Sequence, residues 1–269
     1  MPAGPQATFL TLPVRSKKPR CKGLTHVLDK GCTLLMTQEV LSSVAGIIDI
    51  WKFGWGTAYL DPAVRSKVDA LHAAQVKACT GGTLLEVAWM QGRTEEFFEF
   101  AADVGFDSVE VSDGATTMQL HEKRELIRRG RELGFVVLAE VGSKDPERMV
   151  SPEDWEVEIE GDMAAGANWI VTEGRESGTV GLYDKNGDVR HSLLEVLEQS
   201  VYASRIIYEA PQRAQQSVLL RQLGSEVSLG NIALEDVMSL EALRLGLRAD
   251  TLGNVSGEIV LNSERGVGV

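Results

Sequence analysis

The sequence predicts a (β/α)8 TIM barrel in a single domain, and three observations carry that expectation. Short, nearly continuous apolar runs recur along the chain, among them SVEV, VVLAEV and WIV. That is the composition of parallel strands covered on both faces. Between the runs lie segments such as TEEFFEFAADVG, KRELIRRGRELG, SLLEVLEQSV and RAQQSVLLRQLG, whose apolar residues fall three or four apart, the helical period. Eight strands alternating with helices over roughly 250 residues is the barrel pattern. Two small doubly wound domains would be the alternative. No Pro/Ser-rich linker divides the middle of the chain, and no dinucleotide fingerprint follows the first strand.

In order, the predicted strands are Leu24–Asp29, Gly46–Phe53, Thr83–Ala88, Phe106–Ser112, Phe135–Val141, Ala167–Glu173, Arg205–Ala210 and Val227–Gly230. Several of the helical segments close on glycine, a common helix stop. Pro146 and Pro152 interrupt the stretch after the fifth strand, so its helix is expected to begin near Glu153. KNGD (Lys185–Asp188) reads as a turn on an insertion rather than a domain break. Residues 1–18 read as a tail or barrel-closing segment, and 19–269 as the barrel domain.

Composition narrows the function. The chain has 269 residues, 43% hydrophobic and 25% charged, ordinary for a globular protein with a sizeable core. No apolar stretch approaches the roughly 18 residues that span a bilayer. The N-terminal basic cluster follows the weak apolar part, unlike a signal peptide, so a cytoplasmic location is expected. Three cysteines without a CxxC, and four histidines without metal-ligand spacing, argue against a disulfide framework or a zinc site. A net charge of −12 argues against nucleic-acid and membrane partners.

Catalytic groups of such a barrel lie at the C-terminal ends of its strands. Strands three to seven, as predicted, each place a glutamate there: Glu86, Glu110, Glu140, Glu173 and Glu209. Buried carboxylates are costly unless paired or bound to metal. A ring of them suits Mg²⁺, which takes oxygen ligands; internal salt bridges to Lys52, Lys144 and Arg175 are the plainer alternative. The cations Arg20, Lys22, Lys30, Lys52, Lys144 and Arg175 fall at or near predicted strand mouths of an acidic chain, which points to an anionic substrate. EVGSKD (Glu140–Asp145) ends an apolar strand with a carboxylate, a Gly-Ser turn and a lysine, more chemistry than a connecting loop needs.

The chain resembles phosphosulfolactate synthase along nearly its whole length after Lys18. The resemblance rests on KPRCKGLTHVLDKG, IIDIWKFGWGTAYL, GGTLLEVA, GFDSVEVSDG, EVGSKD, EGRESG, IIYEAPQRAQQ and SLGNIALEDVMSLEALRLGLRADT, in that order. Two positions depart from the family pattern: Gly174 where alanine is usual, and Ala249 where glycine is usual. The resemblance implies a TIM barrel and a homo-oligomer such as a trimer. It implies Mg²⁺-dependent addition of sulfite to phosphoenolpyruvate, giving (2R)-phospho-3-sulfolactate on the way to coenzyme M or sulfolactate. Under it Lys144 is the expected general acid at C2, and Glu110, Glu140, Glu173 and Glu209 are the metal ligands. Arg175 is the expected phosphate or sulfite clamp, with Arg20, Lys30, Lys52 and Ser112 as further substrate contacts. The rivals are a related enolate or aldol barrel enzyme with another nucleophile or a Schiff-base lysine, and a retired barrel acting as a binding protein.

Overall fold

The structure, a computed structural model, describes residues 9–142 and 151–252. Eight parallel strands close into a barrel in chain order, with the last pairing back onto the first. They are β1 (Thr25–Asp29), β2 (Ile50–Phe53), β3 (Lys77–Thr80), β4 (Ser108–Val111), β5 (Val136–Val141), β6 (Trp169–Thr172), β7 (Ile206–Glu209) and β8 (Ser228–Ala233). The surrounding helices are α1 (Leu34–Val44), α2 (Thr57–Leu60), α3 (Val64–Ala73), α4 (Gly82–Met90), α5 (Thr94–Val104), α6 (Leu120–Glu132), α7 (Pro152–Ala165), α8 (His191–Gln199), α9 (Arg213–Leu223) and α10 (Val237–Arg244). Among the described residues no helix is long and apolar enough to cross a membrane.

Strand alternation sorts the side chains into two cores. In β2, Trp51 and Phe53 point out to the helices and join the large core between strands and helices. Ile50 points in, and with Leu24, Cys79, Leu138, Val171 and Ile207 fills the barrel interior. One step further along β2, the inward position is Lys52. The barrel thus changes from an apolar plug to a charged layer within two residues. Burial of each large apolar side chain contributes about 2 kcal/mol, and Trp51, Trp155, Phe53 and Phe98 are all fully buried. Helix α7 starts where its sequence signals place it. Ser151 caps the helix, its hydroxyl accepting from the Asp154 amide at 3.1 Å, and Pro152 occupies the first turn.

The third strand differs from the expectation. Thr83–Ala88 belongs to α4, and the strand is the preceding KACT. β3 is only four residues long and opens on exposed Lys77, which weakens its apolar signature. TLLEVA is apolar on nearly every side, and such a run carries no clear period. Glu86 therefore lies on the buried face of a helix rather than at a strand end.

The opposite, N-terminal end of the barrel is closed by basic residues. Arg15 pairs with Glu226 and with Glu241, and Lys18 donates to the carbonyls of Ala45 at 2.8 Å and Gln75 at 3.0 Å. Arg20 belongs to this set, donating to Asp49 at 3.0 Å and to the Gly46 carbonyl at 3.0 Å. Its expected role at the substrate mouth is therefore corrected. Asp49 precedes β2, so its partner sits below the barrel, a strand's length from the charged layer.

Candidate active site at the C-terminal end of the barrel

The charged layer gathers Lys52 from β2, Glu110 from β4, Glu140 from β5 and Glu209 from β7, all nearly fully buried. Lys52 Nζ donates to Glu110 Oε2 at 2.9 Å and to Glu209 Oε1 at 3.1 Å. The second oxygens of these two carboxylates accept backbone amides. Glu110 Oε1 takes Gly82 N at 3.0 Å and Glu209 Oε2 takes Gly174 N at 2.9 Å. Each glutamate thus ties down the second residue past the end of the preceding strand. Gly82 is needed for its close approach, since a Cβ there would lie 2.3 Å from Ser112 Oγ.

Glu110, Glu140 and Glu209 each offer one oxygen within 4.8 Å of the others. Three buried carboxylates carry more negative charge than one ammonium offsets, and hard oxygen donors at this separation suit a divalent cation such as Mg²⁺. Glu173 of the next rim position also lines the cavity but stands outside that triad; its Oε1 accepts the Arg175 amide at 2.7 Å. The cavity above the layer has a volume of about 270 Å³, and Trp55, Thr83, Arg175 and Glu176 contribute to its walls.

The electrostatics follow from burial. Burial opposes the charge on Lys52, but Glu110, Glu209 and Glu140 outweigh it and hold the ammonium above its ordinary pKa. Glu209 is pushed up to about 7: burial raises it most, Lys52 pulls it down, and Glu140 and Glu110 raise it further. Glu110 is raised in the same way. One layer below, His26 of β1 points inward, fully buried, and neither ring nitrogen has a hydrogen-bond partner among the described residues. Burial, reinforced by Lys52, holds its pKa well below the ordinary value. Above pH about 6.5 both folded and unfolded chains keep this imidazole neutral; below it only the unfolded chain takes the proton, so stability falls as pH drops. Glu209 contributes the opposite slope but is common to wild type and variant. His26→Gln is therefore expected to gain about 2 kcal/mol on wild type between pH 7.5 and 5.0 in denaturant titrations. Parallel pH profiles for the two proteins would refute the assignment.

The remaining expected site residues scatter. Arg175 stands exposed on the cavity wall, with a left-handed φ of 53°. Ser112 is buried and its hydroxyl donates to Glu86 Oε1, while Glu86 Oε2 takes the Ala115 amide at 2.8 Å. That hydroxyl braces the rim and lines no part of the cavity, so Ser112 is corrected as a substrate contact. Lys30 follows β1, exposed at the mouth but off the cavity wall. Lys144 lies outside the described residues.

Sequence reasoning missed a second buried charge cluster behind this layer. Lys123 of α6 is fully buried, its Nζ 2.6 Å from Glu158, 2.8 Å from Asp162 and 3.6 Å from Asp113. It also donates to the main-chain carbonyl of Glu140 at 2.6 Å. The signal was present: Lys123 falls in the apolar stripe with Leu126 and Ile127, and Glu158 and Asp162 fall in the stripe of Trp155 and Ile159.

Comparison with known proteins now bears on the site. The family model described as (2R)-phospho-3-sulfolactate synthase (ComA) matches residues 13–250. The chain belongs to the phosphosulfolactate synthase family. It is 41% identical over 253 residues to the phosphosulfolactate synthase of Methanothermobacter thermautotrophicus, covering 92% of this chain and 98% of that one. It is 38% identical over 245 residues to the phosphosulfolactate synthase of Bacillus subtilis, covering 90% and 97%. Solved structures extend the likeness of fold alone. 3-Hexulose-6-phosphate synthase from Salmonella typhimurium superposes with a TM-score of 0.53 at 15% identity, covering 86% of this chain and 94% of that one. The YdjI aldolase from Escherichia coli K12 gives 0.53 at 16% identity, covering 81% and 78%. Membership of the phosphosulfolactate synthase family makes this chain an enzyme, with the buried acidic layer at the end of the barrel where barrel enzymes work.

Proposed function

We propose that this chain adds sulfite to C3 of phosphoenolpyruvate, with Mg²⁺, to give (2R)-phospho-3-sulfolactate. The observation that carries the reading is the buried Glu110–Glu140–Glu209 triad with Lys52, at the catalytic end of a barrel of this family. The sulfur lone pair forms the new bond to C3, the C2–C3 π pair moves toward the carboxylate, and C2 then takes a proton. Nothing leaves and no oxidant is needed. Mg²⁺ held by Glu110, Glu140 and Glu209 would neutralise the charge that gathers on the carboxylate oxygens.

The chain's own residues divide the remaining work. Arg175, exposed on the cavity wall, holds the phosphate or the sulfite. Lys52 keeps the acidic layer assembled, and Glu173 fixes the Arg175 loop through its amide. Lys144, three residues after the Val141 that ends β5, is the proton donor at C2. Lys30 is a contact for substrate as it enters. The Schiff-base alternative is disfavoured at Lys52, because an ammonium held by two buried carboxylates is a poor nucleophile. The enzyme works in the cytoplasm as a homo-oligomer, in a route that consumes phosphosulfolactate.

Phosphorus NMR of the protein with phosphoenolpyruvate, sulfite and Mg²⁺ tests the reading. A new organic phosphate that requires all three is expected. Lys144→Ala should slow its formation by about 10²- to 10⁴-fold, the ordinary weight of a general acid. Product from the variant at the normal rate would remove Lys144 from the proton transfer; no product from wild type would overturn the reaction.

A further inference from the structure

β8 carries an irregularity that brings one more side chain onto the cavity wall. Against β1, Thr25 pairs with Leu229 but Val27 pairs with Ile232, so Gly230 and Asn231 together oppose His26. One extra residue on one strand is a β-bulge, a device that re-aims side chains beside active sites. Leu229 and Ile232, three apart, both pack into the core between strands and helices. Strict alternation would forbid that, and would send Asn231 outward with the helix-facing residues. The bulge instead makes two successive residues face inward. Gly230 is the first, where a Cβ would lie 2.9 Å from His26 Nδ1. Asn231 is the second, and it lines the cavity.

The backbone at Asn231 has a φ of 53°, the left-handed region that a non-glycine residue enters at a cost. Glycine would adopt it freely, so the side chain is what the strain retains. Yet that side chain makes no hydrogen bond among the described residues. Asn231 is 6% exposed, and its Oδ1 is shut off from solvent without a partner. A buried unsatisfied carboxamide is unusual enough to demand a reason, and a half-turn about its terminal torsion exchanges the orphaned acceptor for the NH₂ donor. The wall supplies one. Glu110, Glu140, Glu173 and Glu209 offer acceptors only when ionised, and Lys52 is committed to two of them. Among the described residues, the other cavity-wall side chains that can donate are Trp55 and Arg175, both exposed, and half-buried Thr83. Asn231 is a buried neutral donor, able to hold an oxyanion beside Glu209 without adding charge.

We infer that Asn231 is a substrate-binding residue whose carboxamide donates to an oxyanion of the bound substrate, carried into place by the β8 bulge. The inference rests on the proposed reaction for the identity of that anion, phosphoenolpyruvate or sulfite. Two variants test it. Asn231→Gly removes the donor and relieves the backbone; Asn231→Asp keeps shape and backbone preference but replaces the donor with an acceptor. Both are expected to raise KM for one of the two substrates by about 10- to 100-fold, the usual weight of a hydrogen bond to a charged group. The substrate whose KM moves identifies the anion. In Asn231→Gly, which adds no charge beside the acidic triad, the half-saturating Mg²⁺ concentration should stay put and Tm should not fall. Unchanged KM values in Asn231→Asp would overturn the inference, as would a change confined to Mg²⁺ half-saturation or a fall in Tm with KM intact. A binding readout separates this result from the reaction itself. Millimolar phosphoenolpyruvate or sulfite should raise the wild-type Tm, and Asn231→Asp should lose the rise for one of them. A shift without turnover in wild type would reject the reaction and keep Asn231; turnover with equal shifts in both proteins would do the reverse.

Discussion

Lys52→Met is expected to lower stability by about 3–5 kcal/mol at pH 8 without Mg²⁺, the usual cost of breaking a buried ion pair from one side. For a chain of this size that corresponds to a Tm lower by roughly 6–20 °C. The cause is specific. Removing the ammonium takes away the cation that bridges Glu110 and Glu209, in a layer where Glu110, Glu140 and Glu209 bring oxygens inside 4.8 Å of one another. Two routes relieve that repulsion. One is protonation: Glu209 is already pushed up to about 7 in the wild-type layer, and without Lys52 it should rise further. A carboxyl raised above its unfolded value stabilises the fold while protonated and loses that contribution as pH rises through the folded pKa. The variant should therefore be closer to wild type at pH 6 than at pH 8. The other route is a divalent cation. If the triad takes Mg²⁺, saturating it should recover a few kcal/mol of the loss, since ligand at about 100-fold over Kd contributes roughly 2.7 kcal/mol. Denaturant titrations at the two pH values, with and without Mg²⁺, check both routes. A variant as stable as wild type at pH 8 would mean that Lys52 does not hold the layer, and lack of recovery with Mg²⁺ would count against the triad as a metal site.

Why this layer was legible in the sequence, and its surroundings less so, comes down to chain geometry. Glu110, Glu140 and Glu209 each end an apolar run with a charge at an inward position, and closure of a barrel makes all inward ends converge. The same logic correctly applied would have set Arg20 aside, because a residue that precedes a strand lies at the barrel's other end. β3 was misread because KACT is short and its neighbour TLLEVA is apolar on most sides; α4 leaves Val87 and Met90 exposed. Glu86 still reaches the rim, by way of a helix. The bulge at Gly230–Asn231 has no sequence period of its own, since it exists only in the register of β8 against β1. The family itself was legible only through its motifs.

Lys123→Met is expected to cost as much as Lys52→Met, and to differ from it in one decisive respect. Burial opposes the Lys123 charge, but Glu158, Asp162 and Asp113 hold the ammonium's pKa above its usual value. Loss of the cation strands fully buried Asp162 and leaves Glu158 beside it; among the described residues, only the longer 3.5 Å contact from Arg124 to Asp162 compensates. A loss of about 3–5 kcal/mol follows, and pairing the change with Asp162→Leu should recover part of it, because an apolar replacement of a whole buried pair is far cheaper than breaking it. Asp113, Glu158 and Asp162 line no part of the active cavity, so Mg²⁺ should not rescue this variant as it rescues Lys52→Met. Lys123 nonetheless reaches the site along the backbone. Its Nζ holds the Glu140 carbonyl at 2.6 Å, and the side chain of that residue belongs to the acidic triad. Under the proposed function, the folded variant should need about ten-fold or more Mg²⁺ for half-maximal rate, the scale seen when a partner of a metal ligand is removed. Thermal melts with and without Mg²⁺, and a Mg²⁺ titration of the rate, separate the two roles. Full rescue of Tm by Mg²⁺ would show that the clusters are one site. An unchanged Mg²⁺ requirement would confine Lys123 to packing α6 against α7.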